Sequence, residues 1–207
     1  IALQAGMNLS MVRFIAEYRA QKNQAAMFAV LAYSNKVVIG LGILAFLCGA
    51  LAVHLAVPGD AAELRGTFYV MLPLAIVMAL FQQRAAVLQG LEQVFRAAAA
   101  QEIARPLLLL AAVFLATRLF PADAVVVMTA NLVVTAAVLI VLMRHTQARI
   151  ATEAAEDHGI PPWRAWLRTS LPYVAVTGLT ILLTQMDILM IGHMLGPEQA
   201  GLYAPAA

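Results

Sequence analysis

Five apolar runs, at 37–57, 67–88, 103–119, 121–143 and 171–191, constrain this chain more than any other feature. At 1.5 Å rise per residue, roughly 20 helical residues cross a hydrocarbon core of about 30 Å. With no water there to satisfy backbone groups, only helices or a closed barrel can span it. The run at 103–119 is short, and the Ala97–Ala100 stretch before it extends it. Composition agrees: 63% of the 207 residues are hydrophobic and 12% charged, against about 25% charged in a soluble domain. The expected fold is all-α, a polytopic transmembrane helical bundle with five complete spans and partial ones at both ends. Residues 1–5 read as the tail of an earlier span, and 201–207 as the start of a later one. The formal charge is only +2, and no basic tract carries the interleaved aromatics of single-strand binding, so nucleic acid is not an expected partner. Cys48 is the lone cysteine. It has no intramolecular disulfide partner and reads as an inert buried thiol.

The basic residues divide sharply between alternate connections. Arg13, Arg19, Lys22 and Lys36, then Arg84, Arg96 and Arg105, then Arg144, Arg149, Arg164 and Arg168 fall on one side; only Arg65 and Arg118 fall on the other. Losing one span would scramble this alternation. By the positive-inside rule the basic side is cytoplasmic.

Along the chain, Met11, Phe14, Ile15 and Tyr18 recur at helical spacing among basic residues. That stretch is either a helix lying in the membrane interface or a charged cytoplasmic loop. Gly42, Ala45, Gly49, Ala52 and Ala56 form a stripe of small side chains suited to close helix packing. Pro73 and Pro106 are kinks or hinges, His54 is interfacial, and Pro121 suits a first helical position. The polar segment 144–168, broken at Gly159-Ile160-Pro161-Pro162, is the seam between two bundles, with Trp163 and Trp166 in a headgroup belt.

Polar groups inside spans are costly, roughly +3 kcal/mol for a central Asp, so each is a candidate. Thr177, Thr180, Thr184 and Asp187 share one helical face. They line a hydrophilic path on which Asp187 binds H⁺ or Na⁺ or touches substrate, or else the threonines bond back to their own helix and Asp187 pairs with an unseen base. Asn131 and Thr135, one turn apart, are substrate contacts or interhelical glue. Arg84 and Arg105 clamp a diphosphate bidentately or anchor helix ends. His145, His158 and His193 lack metal-ligand spacing. With no nucleophile elbow, phosphate loop or carboxylate pair, neither an enzyme nor a cofactor is expected beyond an H⁺ or Na⁺ coupling ion.

Three patches carry a resemblance. Gln185 and Asp187, then Met190-Ile191-Gly192, Leu195-Gly196-Pro197 and Ala200-Gly201-Leu202-Tyr203 resemble the start of a bundle in the polysaccharide transporter family. Leu88-Gln89-Gly90-Leu91 through Arg105-Pro106-Leu107 resembles its fourth-to-fifth helix hairpin. Gly6 followed by Arg13-Phe14-Ile15-Ala16-Glu17-Tyr18 resembles the cytoplasmic loop after its second helix. That family comprises lipid-linked oligosaccharide flippases, in a superfamily with multidrug-and-toxin-extrusion carriers and lipid II flippases. The resemblance implies an internal piece of a larger transporter. Residues 1–145 would be an incomplete amino-terminal transmembrane bundle, 146–168 a cytoplasmic linker and 169–207 the start of the carboxy-terminal bundle. It further implies alternating-access flipping of a polyprenyl-pyrophosphate-linked oligosaccharide across a bacterial inner membrane, with membrane lipid and a polysaccharide polymerase or synthesis complex as partners. The alternatives are a cation-coupled multidrug exporter of the same superfamily and a non-transporting scaffold of a synthesis complex.

Overall fold

The computed structural model describes the backbone of residues 2–56, 62–119, 123–153, 156 and 159–195. Within these, the side chains of 2–7, 56, 62–64, 181, 184, 185, 187–189 and 191–195 are not described. The described residues are helical, with no strand: α1 (Ala2–Ala20), α2 (Gln24–Ala56), α3 (Ala62–Gly90), α4 (Val94–Ala98), a π-helical segment (Ala99–Ala104), α5 (Arg105–Leu119), α6 (Ala124–Thr152) and α7 (Trp163–Leu195). Among the described residues, four stretches are long and apolar enough to cross a membrane: Gln24–Leu55, Arg65–Gly90, Val94–Leu119 and Ala124–Thr152. The fifth expected span falls within α7, much of whose second half lies outside the described side chains.

Large apolar side chains point outward on every span. Leu44, Leu47 and Leu51 on α2, Leu107, Leu110 and Phe114 on α5, and Val133 and Val141 on α6 are exposed. So extensive an apolar exterior suits hydrocarbon rather than water. Cys48 shares this outer side of α2, exposed rather than buried as expected; a small thiol in an apolar run fits either face equally well. The small-residue stripe packs at Gly42 and Gly49, whereas Ala45 and Ala52 are exposed and the Ala56 side chain is not described. A Cβ on Gly42 would lie 2.8 Å from Ile76, and one on Gly49 2.5 Å from Leu72, so α2 and α3 approach closely only because these side chains are absent. α3 continues through Pro73.

Residues 1–35 correct the sequence reading. Residues 2–35 are two helices joined by a short turn rather than a loop. α1 ends at Ala20 and α2 begins at Gln24, well before the expected start at 37. The apolar face of α1 is covered by protein: Met11, Phe14, Ile15 and Tyr18 are buried in a cluster with Val30 and Leu31 of α2, Ala86 and Val87 of α3, Ile150 of α6 and Trp166 of α7. Trp166 is thus a core residue, not a headgroup anchor. Its indole Nε1–H donates to the Tyr18 hydroxyl at 2.7 Å. Trp163 remains exposed. Helices α6 and α7 also reach into the polar segment 144–168, leaving 153–162 between them.

Two turns of one design sit at the basic end. After α1, Asn23 N–H reaches the Tyr18 carbonyl and Lys22 N–H the Arg19 carbonyl. After α3, Gln93 and Glu92 repeat the pattern on Leu88 and Gln89. This is the Schellman geometry, whose left-handed position glycine usually fills. Here Lys22 (φ 53°) and Glu92 (φ 61°) occupy it. Asn23, itself buried, caps α2 by accepting from Ala26 N–H at 2.9 Å and donates to the Gly159 carbonyl at 2.8 Å. Arg19 pairs with Glu92 (2.8 Å) and Glu153 (3.3 Å), and Lys22 with Glu156 (2.9 Å). Hydrogen bonding to Glu92 first, then the nearby carboxylate charges, raise the Arg19 pKa; Glu156 does the same for Lys22. Three connections that alternate along the sequence therefore meet at one end of the bundle, as the charge count requires.

Candidate functional site

A polar cleft opens where α1, α3 and the π-helical segment meet. On α3, Met78, Gln82, Ala86 and Gln89 recur every three or four residues and so share one face. Asn8 of α1 lies across from them, its amide 3.4 Å from the Gln82 side-chain oxygen. Gln101, Glu102, Arg105 and Pro106 complete the lining, and the cavity measures about 480 Å³. Ligand pockets commonly span about 300–1,000 Å³. Gln82 is eight residues from the end of α3 at Gly90, roughly 12 Å along the axis, so the cleft lies toward the basic end.

Pro106 explains the backbone on the far wall. Having no N–H, it cannot bond the Glu102 carbonyl four residues back. The chain before it widens, and Arg105 N–H bonds the Ala100 carbonyl, five residues back. Such π segments inside α-helices are frequent at functional sites. Here the widened turn presents Gln101, Glu102 and Arg105 to one cavity.

Arg105 is held from behind. Its Nε donates to Thr135 Oγ1 at 3.3 Å and its Nη2 to Asn131 Oδ1 at 3.2 Å. Thr135 Oγ1 also lies 3.2 Å from Asn131 Oδ1 and donates to it. The guanidinium carbon sits 6.0 Å from the centroid of the Phe81 ring, within cation–π range. Asn131 and Thr135 therefore join α6 to α5 through Arg105. Among the described lining residues, Glu102 is the sole carboxylate and Arg105 the sole cation.

The other expected residues scatter. Arg84 is fully buried at the α2–α3 contact, donating from Nη2 to Asn35 Oδ1 at 3.2 Å. Its Nε and Nη1 have no hydrogen-bond partner among the described residues, nor do neighbouring Ser34 Oγ and both ends of Gln83. Arg84 does not line the cleft, so the structure does not bring the two arginines to one cavity. Thr180 bonds back to the Val176 carbonyl at 3.0 Å on an exposed face, while the Thr177 hydroxyl is buried without a partner among the described residues. Thr184 and Asp187 lie outside the described side chains.

Asn8, Gln82, Gln89, Gln101 and Glu102 are site residues that sequence reasoning missed. One signal was available: Gln82 and Gln89 stand two turns apart on one face, and Gln101 and Glu102 lie one turn ahead of Arg105-Pro106. A family model for polysaccharide biosynthesis proteins matches residues 1–207. No curated protein and no solved structure matches the chain.

Proposed function

The chain belongs to the polysaccharide biosynthesis protein family, and from that premise we propose that it is a transporting part of a flippase for polyprenyl-pyrophosphate-linked oligosaccharides. The observation that carries this reading is the polar cleft inside a bundle whose outer faces are apolar. Moving sugar hydroxyls and a pyrophosphate across hydrocarbon requires a hydrophilic route walled off from lipid, and irregular backbone at membrane depth is tolerated where it lines such a route. In this reading α7 is the fifth span and opens a second bundle. The basic connections face the cytoplasm of a bacterial inner membrane, and rocking of the two bundles exposes the cleft to each side in turn. Asp187 couples transport to H⁺ or Na⁺, and Arg105 supplies a cationic donor to the wall of the cleft. A polysaccharide polymerase would be the natural neighbour.

The test is reconstitution of the full-length protein in proteoliposomes with a labelled lipid-linked oligosaccharide. Flipping should exceed that of protein-free vesicles and fall with Asp187→Asn; labelled lipid that stays in its original leaflet would refute the proposal. Glu102 favours a second reading, a cation-coupled drug exporter, because a carboxylate in the cleft attracts cations. Cationic dye efflux by the same vesicles, with no lipid flipping, would select it.

A further inference from the structure

We infer that the cleft between α1, α3 and the π-helical segment is a carbohydrate subsite: it takes a sugar ring of the substrate, while the pyrophosphate is held elsewhere. This rests on the flippase reading and narrows it. Phosphate oxygens only accept hydrogen bonds, so a phosphate site is built from donors. A sugar hydroxyl both donates and accepts and needs both kinds of partner. The lining is of the second kind. Asn8, Gln82, Gln89 and Gln101 each carry an amide N–H₂ and a carbonyl, with the Asn8 amide and Gln82 oxygen sharing one bond at 3.4 Å, and Glu102 adds an acceptor.

The one cation is already partly committed. Arg105 donates from Nε to Thr135 and from Nη2 to Asn131, and Glu102, three residues earlier on the same wall, adds a carboxylate to the same cavity. A pyrophosphate seated there would bring its negative charges beside a carboxylate, with a single guanidinium among the described lining residues to offset them. Met78 and Pro106 supply apolar surface for the C–H faces of a ring.

The experiment compares two probes on the full-length protein in nanodiscs: bare polyprenyl pyrophosphate, and the same lipid carrying one N-acetylhexosamine or hexose from a small panel. Wild type should prefer at least one glycosylated lipid. Gln82→Leu and Gln101→Leu should each weaken that binding by about three- to tenfold, the loss of one neutral hydrogen bond. Affinity for the bare lipid should stay unchanged, which also reports an intact fold. Equal loss for both probes would make this a phosphate site and overturn the inference; so would a wild type that does not discriminate, or variants that still do. Flipping by wild type together with any of these results sinks the subsite alone. Sugar-dependent binding without flipping supports the subsite and sinks the flippase reading.

Discussion

Substituting Tyr18 by Phe isolates one buried hydrogen bond that ties α7 to α1. The phenol accepts from the Trp166 indole at 2.7 Å, and both side chains are about 95% buried. Phe keeps the ring, including its stacking on Phe14 at 6.2 Å, and leaves the tilted contact of Trp166 with Tyr33 untouched. What is lost is the acceptor, so the indole N–H becomes an orphaned buried donor. That should cost about 1–3 kcal/mol, more than the roughly 1 kcal/mol net value of an average hydrogen bond. Trp166→Phe removes the donor instead, adding a packing loss to an orphaned hydroxyl. The double variant leaves no orphan at all. Its destabilisation should therefore fall short of the sum of the two singles by about 1 kcal/mol or more. Equilibrium unfolding in mixed micelles, followed by circular dichroism, measures all four corners of the cycle. Strict additivity would refute the reasoning, because it would mean that the two groups do not depend on one another.

Three further outcomes follow from single positions. Gly90→Ala should destabilise by about 1–3 kcal/mol, because its Cβ would sit 2.9 Å from the Val12 carbonyl oxygen and 2.8 Å from Ile15; Gly40→Ala, with nothing within 4 Å, should be neutral or gain up to about 1 kcal/mol, and equal melting of the two would contradict the close α1–α3 approach. Burial, and secondarily Glu17, raise the Tyr18 pKa against the Trp166 bond that lowers it. The folded state therefore keeps its proton longer than the unfolded one, and the associated stability is complete below about pH 10 and lost as pH rises through the folded value; Tyr18→Phe should flatten this alkaline limb in a stability-versus-pH titration. Arg84→Met should melt no lower than wild type, since it removes a buried charge lacking a described counter-ion, whereas Asn35→Ala should melt lower by about 1–3 kcal/mol, having stripped that charge of its one described side-chain partner.

Span positions and their alternation were legible because apolar length and basic charge are properties of the sequence in one dimension. The four apolar helices overlap the runs that those patterns marked, two of them starting well before, and the basic connections share one end. α1 was legible only as a stripe. Met11, Phe14, Ile15 and Tyr18 announce an apolar face, but headgroups and a neighbouring helix satisfy such a face equally well. Trp166 carries the same ambiguity, since an amphipathic ring suits a membrane interface or a core that offers its N–H a hydroxyl. The start of α2 was hidden because Lys22 and Glu92 hold the left-handed positions where glycine would have marked the helix ends. The cleft was hidden for a different reason. Its carboxamides are spread over α1, α3 and the π segment, and only packing collects them.

What packing collects, the backbone rule then interprets. Exposed ion pairs such as Lys22–Glu156 contribute little to stability, so the basic end is held chiefly by its buried groups, Asn23 and the Tyr18–Trp166 pair. The cleft is the opposite case, a place where polarity is left open. A π segment beside a proline at membrane depth is tolerated when it is buried in protein or borders water. Here Gln101 and Glu102 line a cavity of about 480 Å³. An occupant of that cavity meets donors and acceptors alike. Arg105 is tied to α6 through Asn131 and Thr135. Under the subsite proposed above, the ligand brings its own donors and acceptors to the cavity wall, as a polyhydroxylated ring does.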